Sequence, residues 1–167
     1  MAELEILTYP DPILLAKAQV VAKVSSRMRR LARNMLETMY AASGIGLAAP
    51  QVGVQKRVIV VDAGEDPLVL VNPRITAVEG EQVGLEGCLS VPDLVGEVRR
   101  AAWVTVKGLN RRGWPVVLEG EGLLARVLQH EIDHLNGILF VARIEDLTRL
   151  WKVSDLSATA VKEVAHI

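Results

Sequence analysis

The sequence predicts an α+β fold. A single domain over residues 1–167 would pack mixed and antiparallel strands around a central helix, with one helix before them and another in the tail. Three observations carry this expectation. Apolar residues spaced three and four apart run through Met28, Leu31, Ala32, Met35, Leu36 and Met39. Short β-rich runs broken by Gly, Pro and Asn fill residues 57–119. A second helical pattern at 123–135 carries His130-Glu131-Ile132-Asp133-His134.

The elements follow in order. Pro10 and Pro12 punctuate an extended start, and Ser25 or Ser26 caps the first helix, which ends near 41–43. Gly44, Gly46, Pro50 and Gly53 mark an irregular stretch. Residues 57–61 (Arg-Val-Ile-Val-Val) read as a buried strand. A strand at 68–71 stops at Asn72-Pro73, and a third runs over 74–78. Gly80, Gly84 and Gly87 read as a loop leading to Cys88. Residues 98–109 alternate as one strand, and Asn110–Gly113 turns it into 114–119. Asn136-Gly137 stops the histidine helix. From Asp146 the apolar residues Leu147, Leu150, Trp151, Val161 and Val164 suggest a final helix.

Composition narrows the function class. Half of the 167 residues are hydrophobic, enough for a packed core. A formal net charge of −1 gives no reason to expect a nucleic acid or an anionic membrane as partner. No apolar run approaches the ~18–20 residues of a membrane span. The start, Met1-Ala2-Glu3-Leu4-Glu5, does not read as a leader. Cys88 is the one cysteine, so no internal disulfide forms, and the expected compartment is the reducing cytoplasm.

The chemistry centres on the second helix. His130 and His134 are four apart, so their rings leave one face and grip one metal ion, while Glu131 reaches a water on that metal. A catalytic site of this kind takes three protein ligands and keeps an open position. The third ligand is either the Cys88 thiolate or a downstream carboxylate among Glu145, Asp146, Asp155 and Glu163. The carboxylate would make a zinc protease. Asp133 either holds a histidine N–H or a helix neighbour, or is a solvated surface group. The run Gly44-x-Gly46-x-x-Ala49 with Asp62 imitates a dinucleotide fingerprint. That fingerprint needs a strand before the glycines and a helix after them, and here the order is reversed.

Three segments together resemble the peptide deformylase family. They are Gly44-Ile45-Gly46-Leu47-Ala48-Ala49-Pro50-Gln51, Glu86-Gly87-Cys88-Leu89-Ser90 and Gln129-His130-Glu131-Ile132-Asp133-His134. Their order and spacing match, and the likeness runs from about Leu7 to Phe140. Bacterial members with a C-terminal helix are the nearer comparison. The resemblance implies Cys88, His130 and His134 as metal ligands, with Fe(II) the natural ion and Zn, Ni or Co able to replace it. It implies removal of the formyl group from formyl-methionyl nascent polypeptides. Water activated by the metal attacks, Glu131 is general acid and base, and formate leaves. Gln51 and the backbone N–H of Leu89 would hold the developing oxyanion. Gly46 would pair with the extended substrate, and Ile45, Leu123 and Val127 would receive the methionine side chain. The implied partners are nascent polypeptide N-termini, with a transient ribosome contact, and the protein would be a monomer. The pattern departs from the family in residues 15–20, at Ala142 and beyond Arg143, which leaves docking through the tail without support.

Overall fold

Ser25 accepts a hydrogen bond from the Met28 N–H and opens helix α1, Ser26–Ala41, where the sequence places the cap. The structure, a computed structural model, describes residues 2–167. The apolar stripe of α1 buries Ala32, Met35 and Met39. It packs against strands β1 (Gly46–Ala48) and β2 (Val58–Val61).

Strand β2 is buried along its whole length. Val58 and Val60 join the cluster that contains Met35 and Met39. Ile59 and Val61 join the other cluster, with Val127, Leu128 and Ile132 from helix α2 (Gly122–Leu135). Side chains of a strand alternate between faces, so one continuous apolar run serves a helix on each side.

Two sheets enclose α2. The first has the order β1-β2-β3-β6-β7, with β3 at Leu68–Glu79, β6 at Trp103–Leu109 and β7 at Pro115–Glu121, all antiparallel. The second has the order β8-β5-β4-β9, with β4 at Gln82–Cys88, β5 at Val91–Arg100, β8 at Leu150–Lys152 and β9 at Ala165–His166. Only the β4–β9 pair of the described strands is parallel. Helix α2 touches β1, β2 and β7 of the first sheet and β5 of the second. It is the central helix of the expected α+β architecture.

Several boundaries differ from the sequence reading. The irregular stretch after Gly44 contains β1, followed by a 3-10 turn at Ala49–Val52. Residues 68–71 and 74–78 form one strand rather than two. Asn72 takes a left-handed φ of 52° in a register shift, and its side-chain amide pairs with the Val21 N–H and carbonyl, so the strand resumes after Pro73. The glycine-punctuated loop before Cys88 is strand β4. Its Gly84 lies under the Arg126 guanidinium, where a Cβ would come within 3.1 Å of Nη2. Conversely, residues 98–109 are two strands in different sheets, separated by Ala101-Ala102. The hairpin turn holds: Asn110 Oδ1 accepts from the N–H groups of Arg112 and Trp114, and Gly113 has φ 81°.

The tail is not one long helix. It holds β8, a five-residue helix α3 (Ala158–Lys162) capped by Ser157, and β9. Its apolar residues do not share a helical face. Trp151 pairs in β8 opposite Val95, and Val164 packs beside Gly87 of β4.

Candidate metal centre

Helix α2 brings His130 and His134 together with Nε2 atoms 3.2 Å apart. Strand β4 ends at Cys88, whose Sγ is 3.4 Å from His134 Nε2. All three side chains are buried, and their donor atoms lie within 4.8 Å of one another. Among the described residues no carboxylate joins this group. Glu145 pairs with Arg99, and Asp146 accepts from Thr148, so the zinc-protease alternative has no third ligand here.

The donor set fits a soft or borderline divalent cation: one sulfur and two imidazole nitrogens converge, as in Cys/His sites. Tautomers fit as well. His130 Nδ1 is 2.8 Å from Glu86 Oε1. An ionised carboxylate only accepts, so the proton is on Nδ1 and the Nε2 lone pair faces the cluster.

Glu86 is the hub of a buried charge network. Arg100 donates to both its oxygens at 2.9 Å, and Arg126 donates to Oε2. Burial works to raise the Glu86 carboxyl, but hydrogen bonds from Arg100 and His130 overcome it and hold the group far below the usual carboxylate range. Arg100 also donates to Asp133 at 2.7 Å, and Arg143 donates to the same carboxylate. Asp133 is therefore neither a partner of a metal-site histidine nor a solvated surface group. It is a buried anion between two arginines.

Glu131 is fully buried, and both of its carboxylate oxygens lack a hydrogen-bond partner among the described residues. Its Oε1 lies 3.9 Å from His130 Nε2. Burial, and then the Glu86 charge, push its carboxyl well above the ordinary range. Burial likewise pushes the Cys88 thiol up and the His134 imidazole down. A divalent cation opposes the first of these shifts, because it takes a thiolate and a neutral imidazole as ligands.

Gln51 is held at both ends. Its Oε1 accepts from the Ala48 N–H at 2.9 Å. Its Nε2 donates to Ser90 Oγ at 3.0 Å and lies 3.8 Å from Cys88 Sγ. The amide therefore faces the metal ligands. Gln51 thus ties the glycine segment to the cysteine segment.

A polypeptide deformylase family model matches residues 3–150. The chain belongs to the peptide deformylase family. It is 54% identical over 149 residues to the peptide deformylase of Carboxydothermus hydrogenoformans, covering 89% of this chain and 98% of that protein. It is 54% identical, again over 149 residues, to that of Desulfitobacterium hafniense, covering 89% and 99%. Among solved structures, the Thermotoga maritima peptide deformylase superposes with a TM-score of 0.84 at 42% identity, over 86% of this chain and 99% of that one. The enzyme from Synechococcus elongatus in complex with actinonin gives 0.85 at 45% identity, over 87% and 81%.

Within the deformylase fold, the residues singled out by sequence do not all sit alike. Val127 is fully buried one turn before the ligand pair, and Ile45 is partly buried beside the same apolar cluster. Gly46 lies against α2: a Cβ there would come within 2.8 Å of Val127 Cγ1 and 3.0 Å of Glu131 Cγ. Leu123 is 46% exposed at the start of α2. The Leu89 N–H already has a partner, the Ile167 carbonyl at 2.9 Å.

Sequence reasoning missed the network of Glu86, Arg100, Arg126 and Arg143, and the contact of Ser90 with Gln51. A signal for Glu86 was present. Residues two apart on a strand share a face, so reading 82–88 as β4 would have placed Glu86 beside Cys88.

Proposed function

We propose that this chain removes the N-terminal formyl group from formyl-methionyl polypeptides and releases formate. The observation that carries the reading is the convergence of Cys88, His130 and His134 beside Glu131, a buried carboxylate with no hydrogen-bond partner among the described residues. Family membership supports the substrate class.

Cys88, His130 and His134 would hold the metal, with Fe(II) as the natural ion and Zn, Ni or Co as replacements. When bound, the metal acidifies a water and polarises the formyl carbonyl. Glu131 takes a proton from the attacking water and gives it to the amine nitrogen as the C–N bond breaks. Its two oxygens have no hydrogen-bond partner among the described residues, which leaves them for this double role. Gln51 Nε2 and the Leu89 N–H donate to the carbonyl oxygen as it becomes negative. The backbone at Ile45 and Gly46 pairs with an extended peptide, and Ile45, Val127 and Leu123 receive the methionine side chain.

Residues 1–167 then act as one catalytic domain, a monomer of the cytoplasm that meets nascent chains, in transient contact with the ribosome. No helix among the described residues is long and apolar enough to cross a membrane. The test is formate release from a formyl-Met-peptide by Fe(II)-loaded protein prepared without oxygen. Formate in step with the free amine is expected. No release by protein with its full metal content overturns the reading.

A further inference from the structure

The edges of the two sheets face each other beside Cys88. Strand β1 is the edge of the first, and β4 would be the edge of the second were it not for β9. An unpaired edge of this kind takes an extended peptide as an added strand. Here that place is filled by the chain itself. Glu86 pairs with Ala165 and Gly87 with His166. The Ile167 N–H donates to the Gly87 carbonyl at 3.1 Å, and the Leu89 N–H donates to the Ile167 carbonyl at 2.9 Å. From the opposite side the Ile45 N–H donates to the His166 carbonyl at 3.2 Å. Residues 165–167 therefore bridge the two sheets with backbone hydrogen bonds to both.

The side chains complete the occupation. Ile167 is fully buried, in the apolar cluster that holds Val127 and receives Ile45. Those are two of the three residues assigned above to the methionine side chain. His166 lines a cavity of about 190 Å³ together with Cys88 and Leu89. A formylated peptide needs the Leu89 N–H, the Ile45 backbone and this apolar pocket at once, and the tail holds all three.

Direction separates the two occupants. The tail runs parallel to β4, toward Cys88. A peptide whose N-terminal formyl carbon reacts beside Cys88 must run away from it, antiparallel to β4. The two cannot share the groove, and one does not extend the other. The tail is also outside the family match, which ends at residue 150. It reaches the groove through the five-residue α3, whose residues are half-buried or exposed.

We propose that residues 165–167 are a built-in ligand of the peptide groove, one that must leave before a formylated peptide binds. The proposal rests on the deformylase reading for which peptide is excluded and for where and in which direction that peptide lies. An attached segment competes at an effective concentration on the order of millimolar, so the apparent Kd for substrate is the intrinsic value divided by the fraction of molecules with the groove open.

Two variants test this: a chain ended after Lys162, and the full chain with Ile167→Lys, which places a charge in the apolar pocket. With formyl-Met-peptides both should show KM lowered by at least about tenfold at unchanged kcat. The peptide Glu-Val-Ala-His-Ile added to the shortened chain should restore the higher KM competitively. A second readout needs no turnover. Calorimetry should detect that peptide binding to the shortened chain and not to the full chain, and amide exchange at Leu89 should quicken in both variants. Equal KM in all three proteins, or no peptide binding with Leu89 exchange unchanged, overturns the proposal. Absent formate release with peptide binding intact would count against the deformylase reading and leave the tail's occupation of the groove supported.

Discussion

Glu86 Oε1 lies 2.8 Å from His130 Nδ1, and this contact joins strand β4 to helix α2 directly behind the metal ligands. The carboxylate fixes which nitrogen of His130 faces Cys88 and His134. It also pairs with Arg100 and Arg126, two guanidinium groups that are about 95% buried, while Asp133 supplies Arg100 with a second anion. One side chain thus serves both fold and site.

Glu86→Ala should therefore fail on two counts. Leaving the buried Arg126 without its anion, and Arg100 with Asp133 alone, costs about 3–5 kcal/mol of stability. Freeing the His130 ring weakens metal binding by about 10–100-fold, the usual cost of losing a partner behind a ligand. Denaturant unfolding checks the first and a competitive chelator titration the second. A variant with wild-type metal affinity would show that packing alone orients His130.

How much of this was legible in the sequence depends on what each residue needs. The helix ligands His130 and His134 and their neighbour Glu131 could be read because helical periodicity is local. Cys88 and Gln51 needed the family resemblance, since nothing local links residues 37 apart in the sequence. The fold class followed from apolar spacing. Strand β4 did not, because its Gly84 and Gly87 look like loop residues until Arg126 and the tail are laid over them. The Asp133 ion pairs were hidden for a similar reason. Their partners Arg100 and Arg143 come from a strand and a 3-10 turn that only the tertiary fold brings to α2. The tail misled because its five apolar residues read as one helix, whereas Leu147 lies in a 3-10 turn, Leu150 and Trp151 in β8, Val161 in the short α3, and Val164 in the link to β9.

Gln51 offers a test of the oxyanion assignment. Removing a donor of this type lowers kcat by about 10²–10³-fold. Gln51→Ala should show that loss, with metal content retained, because none of the three ligands is touched. It should also lose some stability, since the buried Ala48 N–H loses the Gln51 Oε1 acceptor. Gln51→Glu keeps that acceptor but aims a negative charge at the developing oxyanion. It should fold better than Gln51→Ala and remain as slow or slower. Steady-state kinetics beside thermal unfolding would separate the two effects, and a fully active Gln51→Ala protein would exclude the amide from the reaction.

Asp62, the acidic residue of the rejected dinucleotide pattern, accepts a hydrogen bond from the Tyr40 hydroxyl at 2.6 Å. That bond, with a second from the Gly64 N–H, holds its carboxyl below the ordinary aspartate range. A carboxylate with a lowered folded pKa contributes stability above its unfolded pKa and loses it as the pH falls through the folded value. Tyr40→Phe removes the larger cause. The Asp62 pKa should rise toward about 3.9 in an NMR titration. Little change in overall stability is expected, because the pair is exposed to solvent. An Asp62 midpoint that does not move would assign the shift to the Gly64 turn alone.

Gly46 is the point where sheet, helix and chemistry meet. Strand β1 passes so close to α2 that a Cβ at residue 46 would lie 2.8 Å from Val127 Cγ1, 3.0 Å from Glu131 Cγ and 3.1 Å from Glu131 Cδ. Real Cβ atoms do not tolerate such contacts, so Gly46→Ala must displace one side chain or separate the two elements. Val127 and Glu131 are fully buried and have little room to turn aside. Overpacking of this kind costs about 1–3 kcal/mol. The sharper expectation concerns catalysis. Glu131 must sit within hydrogen-bond reach of the attacking water, and displacement of a reacting group by about 1 Å costs on the order of 10²-fold in rate. Gly46→Ala should therefore lose kcat well beyond what its stability loss explains, while Cys88, His130 and His134 still bind metal at full stoichiometry. Metal analysis, unfolding and kinetics on one preparation would test this. An alanine variant with wild-type kcat would mean that β1 moves away from α2 at no cost to Glu131, and that the close approach serves packing alone.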